Sequence, residues 1–75
     1  MTEILIVRVI EICNISGLSE ADIWDKFVDA RLDLRLKYKG EKCVEKAIEQ
    51  VAQELSLEKT EAKALYSFLR RKFMD

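Results

Sequence analysis

The stretch Thr2-Glu-Ile-Leu-Ile-Val-Arg-Val-Ile-Glu-Ile-Cys-Asn-Ile15 decides the fold class. Its β-branched residues, Ile4, Ile6, Val7, Val9, Ile10 and Ile12, favour a strand. A strand needs a partner, however, and no second candidate occurs in the chain. At about 100° per residue, Glu3, Arg8, Glu11 and Asn14 fall on one polar arc, with Leu5, Ile6, Val9, Ile12 and Cys13 opposite. The spacing therefore predicts a helix. Ile4 and Val7 fall inside the polar arc and call for cover from the rest of the chain or from a second subunit.

Working outward, Asn14-Ile15-Ser16-Gly17 marks a break, and a second helix starts just after it. Ser19 is placed to cap, Asp22 stands at the third helical position, and Leu18 with Ile23 suits a hydrophobic staple. This helix is predicted from Glu20 to about Tyr38, closed by Gly40 in a left-handed conformation. Its apolar face is Ile23, Trp24, Phe27, Ala30, Leu34 and Tyr38. An acidic stripe of Asp22, Asp25, Asp29 and Asp33 occupies the other side and reads as a solvated face. Arg31 lies on the aromatic side, where it is expected to snorkel or stack on Trp24.

A third helix, from Glu41 to about Leu55, carries Val44, Ala47, Ile48, Val51 and Leu55 inward. A fourth, from about Glu58 to Phe73, carries Ala62, Leu65, Phe68 and Leu69, with Phe73 as a further candidate at its end. Arg70, Arg71 and Lys72 at its end offset the helix dipole. With no Pro and only 2 Gly in 75 residues, nothing interrupts these segments. The expectation is one all-α domain over residues 1–75, a small four-helix bundle or orthogonal array.

Composition then narrows the function. The chain has no His, so it lacks the usual neutral-pH acid/base and the commonest metal ligand. Its two cysteines, Cys13 and Cys43, build neither a four-cysteine zinc site nor a disulfide framework, and read as reduced, buried thiols. No constellation suits catalysis, so a non-enzymatic protein without a cofactor is expected. The run from Ile4 to Cys13 is too short to span a bilayer and lacks the features of a signal peptide, which points to the cytoplasm. Charge is uneven: two cations stand against six acids in residues 1–30, and eleven against eight in residues 31–75. A basic half of this kind is a weak pointer to a polyanion.

One motif lies in that half. Residues 48–67 read Ile48-Glu-Gln-Val-Ala-Gln-Glu-Leu-Ser-Leu-Glu-Lys-Thr-Glu-Ala-Lys-Ala-Leu-Tyr-Ser67. Two helices that cross steeply need a small residue where they touch, and Ala52 is in that place. Val51, Leu55, Leu57, Ala62 and Leu65 are spaced to fill the angle between them. This segment resembles the helix-turn-helix of DNA-binding regulators. Three positions depart from the pattern: Ser56 replaces the usual turn Gly, Glu58 replaces a Ser or Thr cap, and Glu61 adds a negative charge. The resemblance implies a double-stranded DNA partner, read by Lys59, Thr60, Lys63 and Ser67, with backbone contacts from Gln50 or Gln53. A monomer this small makes few base contacts, so a homodimer suits the role.

A different reading makes the chain a protein-interaction module without a nucleic-acid role. Adaptors, inhibitors and small subunits, phage-encoded ones included, fit it. Ile4, Val7, Leu32 and Leu36, apolar residues on polar arcs, favour that reading.

Overall fold

The computed structural model describes residues 2–74, with side chains over residues 5–74. Among them it contains four helices: α1 (Thr2–Ser16), α2 (Glu20–Leu34), α3 (Glu41–Leu55) and α4 (Lys59–Met74). The chain is all-α, and the first segment is a helix despite its β-branched residues. Tertiary packing of Val9 and Ile12, both buried, overrides their strand propensity.

Local chemistry sets each boundary. Gly17, at φ 73°, ends α1, and its N–H donates to the Cys13 carbonyl at 2.9 Å. A capping box then starts α2. The Asp22 N–H donates to Ser19 Oγ at 3.1 Å, and the Ser19 N–H donates to the Asp22 carboxylate at 3.4 Å. Helix α2 stops at Leu34, about one turn short of the expected Tyr38. Arg35, Leu36 and Lys37 beyond it are all exposed, and the Lys37 N–H closes a tight turn onto the Leu34 carbonyl at 3.0 Å. Gly40 has a positive φ of 61°, but its ψ of −134° is not the left-handed helical conformation expected of a closing glycine, and it serves as the N-cap of α3.

The turn between α3 and α4 centres on Ser56, at φ 56° and ψ 43°. The Leu57 N–H donates to the Ala52 carbonyl at 2.8 Å, and the Ser56 N–H to the Gln53 carbonyl at 3.3 Å. This pair of bonds is a Schellman motif, with a serine where glycine is the unstrained residue.

The helices α2 and α3 form an antiparallel pair. Lys26 meets Glu54 at 3.5 Å near one end, and Cys43 Sγ donates to the Arg31 carbonyl at 3.3 Å towards the other. Helix α4 lies across that pair. It begins beside α3, where Lys59 meets Glu49 at 3.1 Å. Midway, Tyr66 packs edge-on against Phe27 at 5.2 Å and tilted against Trp24 at 5.6 Å. It ends over the start of α2, where Phe73 stacks on Trp24 at 6.4 Å and Lys72 pairs with Glu20.

The core sits between these three helices. Ile23, Phe27, Ala47, Val51, Ala62, Leu65 and Leu69 are all buried. Each large apolar side chain removed from water contributes about 1.5–3 kcal/mol. Helix α1 docks mainly on α4, through Leu5, Val9 and Ile12 beside Leu65, with Arg8 paired to Glu61.

Two expectations about side chains need correction. Ile6 is not on the buried side of α1: it is 41% exposed, and Val7 and Ile10 beside it are 55% and 52% exposed. Because α1 has essentially one neighbour, only a narrow stripe of its apolar surface finds cover. Tyr66 and Phe73 are the aromatic neighbours of Trp24, and half-buried Arg31 does not stack on it. Its guanidinium donates to the Tyr66 hydroxyl at 3.2 Å instead. Ile4 lies outside the described side chains.

Two stability changes test this account. Ser56→Gly relieves a left-handed strain of about 1–2 kcal/mol and gives back part of it as unfolded-state entropy. A net gain of about 0.5–1 kcal/mol is expected, read as a higher urea midpoint at unchanged slope. Phe27→Ala opens a cavity beside Tyr66 and is expected to cost about 3–5 kcal/mol. That is most of the stability of so small a domain, so the cooperative thermal transition should nearly vanish.

Candidate nucleic-acid interface

The four residues singled out by the motif, Lys59, Thr60, Lys63 and Ser67, are all exposed on α4. Positions 59, 63 and 67 recur every four residues and therefore share one face. Thr60 lies at the flank of that face. It borders a groove of about 420 Å³ between α4 and α1, with Leu5, Arg8, Val9 and Ala64. Lys63 and Ser67 border a separate valley of about 570 Å³ on the α3 side, with Glu41, Glu45 and Ile48. The residues form one ridge with a depression on each side.

Arg70 belongs to the same ridge. It shares the valley with Lys63 and Ser67 and is exposed. Its place at the end of α4 had a sufficient explanation in the helix dipole, which hid its second position eleven residues after Lys59. Arg71, also exposed, extends the ridge on the far side. Gln50 and Gln53 are exposed on α3.

The acids near α4 have different fates. Glu61 is only partly exposed and pairs with Arg8, which also binds Glu11 at 3.0 Å. No exposed residue of α4 is acidic. Glu58, just before the helix, remains exposed, and Glu41 and Glu45 form the opposite wall of the valley. Glu49 lies between two lysines, Lys59 at 3.1 Å and Lys46 at 3.5 Å. The hydrogen bond from Lys59, with the charge of Lys46 behind it, holds the Glu49 carboxyl below the usual carboxylate range. Lys59 is therefore partly neutralised, whereas Lys63, Arg70 and Arg71 have no ion-pair partner among the described residues. The acidic wall leaves the unpaired cations along the outer edge of the ridge.

The remaining candidate groups lie elsewhere. Asp22, Asp25, Asp29 and Asp33 are exposed along α2. No group of three or more His, Cys, Asp or Glu among the described residues is arranged to hold a metal ion. Both thiols are free: Cys43 is buried, and partial burial pushes the Cys13 thiol up. No helix among the described residues is long and apolar enough to cross a membrane. No known family model, curated protein or solved structure matches this chain.

The pairing of Glu49 is directly testable. Lys59→Ala is expected to raise the titration midpoint of the Glu49 carboxyl towards the ordinary range, followed by carboxyl-carbon NMR. A midpoint that stays where it was would mean that the ion pair does not persist in solution.

Proposed function

We propose that this chain is a small, non-enzymatic DNA-binding protein, a regulator by its size and make-up, that offers the outer edge of α4 to a duplex. One observation carries the reading: the exposed part of α4 presents Lys59, Lys63, Arg70 and Arg71, with Thr60 and Ser67 among them, and no carboxylate. The turn geometry supports it. Ala52 near the end of α3 is buried, Ser56 is left-handed, and Leu57, Ala62 and Leu65 belong to the packed core beyond the turn. In this role Lys63, Arg70 and Arg71 contact phosphates. Thr60 and Ser67 supply hydroxyls to the groove, and Lys59 competes with Glu49 for its contact. The reading places the protein in the cytoplasm with both thiols reduced.

A second reading, a protein-interaction module, is favoured by a different observation. Ile6, Val7 and Ile10 make an outward apolar row on α1 that the described residues leave about half exposed. A stoichiometric protein complex abolished by Val7→Asp, from a chain with no affinity for duplex at low salt, would establish this reading and displace the first.

Salt-titrated binding to a mixed-sequence duplex tests the primary reading. Three free cations predict a log–log slope of about −3, because each neutralised phosphate releases close to one counterion. Lys63→Ala and Arg70→Ala should each weaken binding across sequences and flatten the slope by about 1. Glu49→Gln, which frees Lys59, should tighten it. Absence of binding at low salt, or a slope indifferent to these changes, would refute the proposal.

A further inference from the structure

Helix α2 carries a second unabsorbed pattern. Val28, Leu32 and Leu36 recur every four residues along one line. Helix α2 ends at Leu34, but its C-cap Arg35 keeps right-handed dihedrals with its N–H on the Arg31 carbonyl, and the turn that follows, closed by the Tyr38 N–H on the Leu34 carbonyl at 2.9 Å, carries Leu36 just beyond the end of that line. Leu32 is 51% exposed and Leu36 is 91% exposed. On one flank of this line stand Asp25, Asp29 and Asp33, all exposed. On the other stand Arg31 and Arg35, continued by Lys39. They border a groove of about 550 Å³ whose apolar floor includes Trp24 and Val28 and whose lining contains no carboxylate. None of Asp25, Asp29, Asp33, Arg35 or Lys39 takes part in an ion pair among the described residues.

We infer that this face of α2 binds a second copy of the same chain, with the two α2 helices side by side and parallel. The argument is one of charge and symmetry. A two-fold axis along the helices sets the left flank of one α2 against the right flank of the other. The acidic flank of each copy then meets the cationic groove of its partner, twice over, while Leu32 meets Leu32 and Leu36 meets Leu36 at the seam. A two-fold axis across the helices, which pairs them antiparallel, sets acid against acid and cation against cation. One chain carries both halves of the complementarity, which selects a second copy as the occupant. The seam is short, so the dimer belongs with weak, concentration-dependent interfaces. The inference does not rest on the nucleic-acid reading.

Sedimentation equilibrium of the full chain over a range of concentrations tests it. The mean mass should rise from that of the 8.8 kDa chain towards twice that value, and added salt should loosen the association. Leu36→Asp should hold the chain monomeric with its helical circular dichroism unchanged, because that side chain packs against almost nothing within its own fold.

A charge-exchange pair provides the second arm. Arg35→Asp with Lys39→Asp makes both flanks acidic, and Asp29→Lys with Asp33→Lys makes both flanks basic. Each variant alone should be monomeric, and an equimolar mixture should form a one-to-one complex. The same mixture with Leu36→Asp in both chains should stay apart. A wild type that remains monomeric throughout, a Leu36→Asp chain that still dimerises, or charge variants that do not associate when mixed would each overturn the proposal. A wild-type dimer tightened by salt would have like flanks together, and would overturn the parallel arrangement.

Discussion

The structure depends on Tyr66. Its ring lies against both Phe27 and Trp24 of α2, and its hydroxyl accepts a hydrogen bond from Arg31. This arrangement fixes where α4 crosses the α2–α3 pair. Aromatic contacts of this geometry add about 0.5–1.5 kcal/mol beyond the apolar area they bury. They also provide a polar end that a buried leucine would lack. Among the described helices, α4 is the one with substantial packing against each of the other three, since α1 only brushes α2 and α3. If it shifted, α1 would lose its main contact and the turn at Ser56 would lose its purpose.

That central place divides the surface of α4 in two. Its inner positions, Ala62, Leu65, Tyr66 and Leu69, are consumed by packing. The positions left outward include those of Lys59, Thr60, Lys63, Ser67, Arg70 and Arg71. The candidate interface and the core are thus opposite sides of one helix, and the rigidity of the first comes from the second. The same division explains the acids. Glu61 falls on the boundary that α1 occupies and is drawn to Arg8, whereas Glu49 lies on the α3 boundary and is drawn to Lys59.

Much of this was legible in the residues. The start of α2 is written in Ser19, Asp22, Leu18 and Ile23, because a capping box and its staple are local devices with fixed spacing. The end of α1 at Gly17 is legible for the same reason, whereas the turn at Ser56 is not, because a serine does not signal the left-handed conformation it adopts. The exposed line of Lys59, Lys63 and Ser67 follows from helical period alone. Arg70 was harder, because a basic residue at a helix end has a sufficient local explanation and its neighbours across the valley are distant in sequence. Ile6 was misplaced on the buried side because period assigns a face to a helix but does not say how wide a stripe its neighbours cover.

The amino-acid sequence by itself determined the number of helices, the cap that starts α2, and most of the inner face of each. These properties depend on residues within about four positions of one another. Only the tertiary structure decided that Arg31 serves Tyr66 instead of Trp24, that Glu61 is withdrawn while Glu41 and Glu45 border the ridge, and that Ile6, Val7 and Ile10 face outward. Each of these follows from which helices meet and where, a matter of contacts between residues far apart in the chain that no local period encodes.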